Sequence, residues 1–63
     1  MPDKNYIAKQ AKRMETAQHP RAKEDAGWRI LSNNDEPNLS DDGSLTPEQM
    51  QKAEDIAAEA LGK

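Results

Sequence analysis

The sequence predicts a small, mainly α-helical domain, with two amphipathic helices joined by a short extended tryptophan segment and an acidic loop. Three observations carry that expectation. A capping box opens residues 47–61, small and apolar residues recur there at helical spacing, and a second such repeat over residues 4–18 stops at a proline. A small α+β arrangement is the alternative, because the middle of the chain carries a short run of bulky residues.

In the N-terminal helix, residues 4–18, Ile7, Ala11 and Met14 recur at four and three residues and mark one face. Tyr6, Gln10 and Ala17 adjoin that face, while Lys4, Lys9, Lys12 and Arg13 populate the remainder. His19-Pro20 should end it, because proline pushes the residue before it out of the α region. Residues 20–26 suit a short second helix with Pro20 in its first turn, where the missing N–H costs nothing, and Gly27 then interrupts. Residues 28–32, Trp28-Arg29-Ile30-Leu31-Ser32, alternate bulky side chains as a strand does, so an extended segment is expected there. So few positions do not distinguish it from a last helical turn. Residues 33–45 are dense in Asn, Asp, Ser, Pro and Gly and read as an acidic loop. Thr46 then serves as N-cap, Pro47 as the first helical residue and Gln49 as its reciprocal cap, and Gly62 stands where a helix-ending glycine belongs. Between them Met50, Ala53, Ala57 and Ala60, with Ile56 and Leu61, form a stripe narrow enough for another backbone to approach closely.

The chain has 63 residues, enough for one domain near the lower size limit for folding without staples. It has no Cys, which excludes disulfides and thiolate metal sites. Its large aliphatics are Ile7, Ile30, Leu31, Leu39, Leu45, Ile56 and Leu61, with no Val and no Phe. Trp28 is therefore the largest apolar side chain, and it either fills the core or anchors a partner. No apolar run is long enough for a membrane span or a secretory signal, which fits a cytoplasmic protein.

Charge divides the chain. Residues 1–30 hold seven Lys/Arg against four Asp/Glu, residues 31–63 two against eight, and the net charge is −3. A single His without a neighbouring nucleophile, in a chain too short for much concave volume, argues for a binding protein and against an enzyme. No cofactor is implied. Asn38, Ser40, Asp42, Gly43, Leu45 and Gln49 fall at positions one, three, five, six, eight and twelve of an EF-hand-like loop. Asn and Gln stand where the end positions need Asp and a bidentate Glu, so the expectation is an acidic turn feeding a capped helix, with no metal site. The acids Asp35, Glu36, Asp41 and Asp42 around Trp28 and Arg29 suit docking onto a basic surface of another protein, steered by charge and anchored by the indole. Two other functions stay open. One is a small nucleic-acid-associated regulator using Lys9, Lys12, Arg13, Arg21 and Lys23. The other is a self-assembling homo-oligomer joined basic face to acidic face.

Pro20, four intervening residues, then Asp25-Ala26-Gly27-Trp28-Arg29-Ile30-Leu31-Ser32 and the acids through Asp42 resemble the central motif of a bacterial family. That family comprises immunity proteins of polymorphic toxin systems, first known only as a domain of unknown function. The likeness spans about a third of the chain (residues 20–42). The family's preceding strand and its Tyr-Arg-Glu block have no counterpart here, and the C-terminal helix has none in the family. The resemblance implies a toxin-neutralising binder with Trp28, Arg29 and the acidic loop at or near its working part.

Overall fold

In a computed structural model, which describes residues 3–62, the chain forms three α-helices and, among the described residues, no strand. Helix α1 spans Lys4–Thr16, α2 Pro20–Asn33 and α3 Pro47–Ala60, and each packs on the other two. The mainly α class is as expected. The α+β alternative is not adopted.

Local chemistry sets the ends. The Asp3 carboxylate caps α1 by accepting from the backbone N–H groups of Asn5 and Tyr6 at 3.0 and 3.2 Å. The helix stops at Thr16, two residues short of the expected end, with Ala17 already extended. Thr46 and Gln49 make the full capping box of α3: Thr46 Oγ1 accepts from the Gln49 backbone at 3.1 Å, and Gln49 Oε1 accepts from the Thr46 backbone at 2.9 Å. Leu61 caps its far end and Gly62 follows at φ +76°, a left-handed position suited to glycine.

The middle of the chain needs correction. Residues 28–32 are helical, and the expected short helix at 20–26 is the first half of a fourteen-residue α2 that runs straight through Gly27. Ala26, Gly27, Ile30 and Leu31 are its buried residues, a helical spacing visible only when the pattern is read across the glycine. Gly27 is a point of close approach. A Cβ there would stand 3.2 Å from the Ala53 Cβ on α3, 3.1 Å from Leu45 Cδ1 and 3.4 Å from Met14 Cε. The loop accordingly occupies 34–46, with Asp35 and Asn38 in the left-handed region.

The core comprises Ile7, Ala11 and Met14 of α1, Ala26, Ile30 and Leu31 of α2, and Ala53 and Ala57 of α3. Leu39, Leu45, Met50, Ile56 and Leu61 flank it, partly buried. It contains no aromatic residue. Four of its eight members are alanines, so the helices pack by proximity more than by side-chain bulk. Trp28 and Tyr6, the chain's two aromatics, are only half-buried.

Candidate functional site

One stripe of α2 holds the acidic loop. Arg21, Glu24 and Trp28 follow at three and four residues and so share a face. Trp28 Nε1 donates to the Ser40 carbonyl at 2.7 Å, and Arg21 Nη2 donates to the Asp42 carbonyl at 2.8 Å. The Leu45 backbone N–H donates to Glu24 Oε2 at 3.0 Å, while the other Glu24 oxygen takes Arg21 Nη1 at 2.7 Å. The Leu45 N–H, followed by the Arg21 guanidinium, holds the Glu24 carboxyl below its ordinary pKa. Within the loop, Asp42 Oδ1 accepts from the Ser44 hydroxyl at 2.7 Å and the Ser44 N–H at 2.9 Å. Those two bonds, the hydroxyl first, lower the Asp42 pKa as well.

This clamp brings the loop over α2 and leaves an open cleft of about 370 Å³ between them and the start of α1. Its lining includes Tyr6, Asp25, Trp28, Arg29, Asp41 and Asp42. Arg29 Nε donates to Asp25 Oδ2 at 3.0 Å, one turn back on the same helix. The Asp25 carboxylate foremost, and the neighbouring Tyr6 side chain after it, raise the Arg29 pKa. Thus four of the six residues expected at a docking surface, Trp28, Arg29, Asp41 and Asp42, meet at one place. Asp35 and Glu36 are not part of this cleft. Asp35 is exposed beyond the end of α2, and Glu36 pairs with Lys52 of α3, its side chain 14% accessible. The acid at position 36 fastens the loop to α3.

Tyr6 and Asp25 are among the lining residues that were not expected at the docking surface. Asp25 carried a signal, its i,i+4 spacing to Arg29. Tyr6 carried none beyond being the second aromatic, since its proximity depends on how α1 crosses α2. The start of α1 is tied to the end of α2 by the Asp3 N–H, which donates to Asn33 Oδ1 at 2.9 Å.

The basic residues expected to contact nucleic acid are divided. Lys9, Lys12 and Arg13 lie exposed on one side of α1. Arg21 is bound up in the loop clamp, and Lys23 Nζ pairs with Glu54 Oε1 at 2.7 Å. The EF-hand-like loop is closed by direct contact: Gln49 Nε2 donates to the Asn38 carbonyl at 3.2 Å, joining its first and twelfth positions. Among the described residues no group of three or more His, Cys, Asp and Glu is placed to hold a metal ion. His19 is the exposed N-cap of α2, with no side-chain capping bond, and does not line the cleft. A larger groove of about 490 Å³, beside Lys4, Ile7, Ile56 and Ala60, contains none of the residues expected to dock a protein or contact nucleic acid. No helix among the described residues is long and apolar enough to cross a membrane.

The Trp28 cleft presents an aromatic surface, a guanidinium and three carboxylates. No protein-family model, no curated protein and no solved structure matches this chain.

Proposed function

We propose that this chain is a non-enzymatic protein-binding module that docks through the Trp28 cleft onto a basic surface of another protein, as an inhibitor, antitoxin or immunity-type protein does. One observation carries the reading. The chain's two aromatic residues both line this open cleft, while the core is built without either. Burial in the core drives most large aromatics of small domains inward, and interface anchors are enriched in Trp, Tyr and Arg, the three types grouped here. Asp41 and Asp42 at the rim add steering toward a basic partner. The likeness of residues 20–42 to immunity proteins favours that variant of the reading, although Gly27 of the motif has a packing role of its own here.

Affinity capture from the native host, comparing the wild-type chain with Trp28→Ala, tests it. The wild-type chain retains a protein partner that the still-helical variant loses. Equal retention by both would remove the cleft from the account. Trp28→Phe, which keeps most of the apolar area and gives up the N–H, should retain the partner more weakly.

A further inference from the structure

We propose that the Trp28 cleft takes a cationic side chain, a lysine or arginine of the partner protein, laid against the indole and closed over by Asp41 and Asp42. This rests on the docking reading above and specifies its central contact. Trp28 has one hydrogen-bond donor, and the Ser40 carbonyl already holds it at 2.7 Å. The rest of the ring is apolar with an electron-rich face, the surface on which cations rest best. The charges around it agree. Three carboxylates line the cleft, Asp25, Asp41 and Asp42, against one guanidinium, Arg29, which is itself held by Asp25.

The two loop carboxylates have capacity left. Asp41 is exposed and makes no hydrogen bond or ion pair among the described residues. Asp42 binds Ser44 through Oδ1, and Oδ2 remains for a donor from outside. Because Arg21 and Glu24 fix the loop backbone, these carboxylates are positioned before any partner arrives. Such preorganisation reduces the entropy lost on binding. At about 370 Å³ the cleft lies near the small end of ligand sites, which run from about 300 to 1,000 Å³, and suits one long side chain. An anionic occupant such as a nucleic-acid phosphate meets like charge at this rim.

Three blocked tripeptides, acetyl-Gly-Arg-Gly-amide and its Lys and Gln counterparts, serve as probes, read through the fluorescence of the lone tryptophan. The Arg and Lys peptides should give saturable changes with a dissociation constant of roughly 1–10 mM, as expected for one side-chain contact. The Gln peptide should give none. In Asp41→Asn/Asp42→Asn, which keeps the oxygen that Ser44 needs, the cationic peptides should bind at least about fivefold more weakly. Raising the salt should weaken wild-type binding in the same direction. Equal responses to Arg and Gln peptides, no saturable response to either cationic peptide, or unchanged binding by the double variant would each overturn the proposal. The docking reading fails separately, when Trp28→Ala still retains the captured protein. Should that variant lose the protein while the peptides go undistinguished, only the cationic occupant is discarded.

Discussion

Gly27→Ala pits helix propensity against packing, and the structure predicts which wins. In an exposed helix interior the change gains roughly 0.5–1 kcal/mol, because alanine loses less backbone freedom on folding. Gly27 is buried, and the added methyl would meet Leu45 Cδ1 at 3.1 Å, Ala53 Cβ at 3.2 Å and Met14 Cε at 3.4 Å. The Leu45 and Met14 contacts are tips of flexible side chains and can withdraw. The Ala53 Cβ is fixed to the α3 backbone, so α2 and α3 must separate by a few tenths of an ångström. Overpacking of that kind costs about 1–3 kcal/mol, which leaves a net loss of about 1 kcal/mol. For a domain of this size that lowers Tm by roughly 4–8 °C. Urea and thermal unfolding followed by circular dichroism measure it. In a double-mutant cycle, Ala53→Gly should recover part of the loss, with a coupling of about 1 kcal/mol. A rise in stability for Gly27→Ala, or zero coupling to Ala53, would refute the close approach of α2 and α3 at this glycine.

Three other perturbations follow from the geometry. Gln10 is 4% exposed and its Oε1 has no hydrogen-bond partner among the described residues, so Gln10→Met should stabilise the fold by about 1 kcal/mol in chemical denaturation; a loss would mean the amide is satisfied. Thr46→Ala removes the reciprocal cap of α3 and should cost about 1 kcal/mol, read as a lower denaturation midpoint with an unchanged slope. The lowered pKa values of Glu24 and Asp42 mean that their contribution is complete at neutral pH and disappears as the pH falls below about 4, through the depressed folded-state values. Trp28 fluorescence should report loosening of the loop in that acid range, and Glu24→Gln should flatten the response; an identical acid profile in the variant would count against the clamp.

The features legible in the sequence are those fixed by neighbours along the chain. The capping box at Thr46 and Gln49, the glycine ending α3, and the Ile7, Ala11 and Met14 face all depend on contacts within a turn or two. Only the first half of helix α2 was legible, because its Gly27 answers to Ala53, twenty-six positions away, and local propensity reads the same glycine as a break. Trp28 and Arg29 reached the candidate site by residue type, and the loop acids by composition. Composition could not separate Asp41, exposed at the cleft, from Glu36, paired with Lys52 on another helix. Nor could it find Tyr6, whose place in the site follows from the crossing of α1 over α2.

The central claim is that a protein partner docks at the Trp28 cleft, and the most direct measurement is a chemical-shift map of the labelled chain as its captured partner is added. With one tryptophan in the sequence, a single indole N–H resonance reports the site. The account predicts that this resonance and the amides of Tyr6, Arg29, Asp41 and Asp42 move together, in proportion to partner bound. Perturbations confined to Lys9, Lys12 and Arg13 on α1, with the indole unmoved, would contradict it.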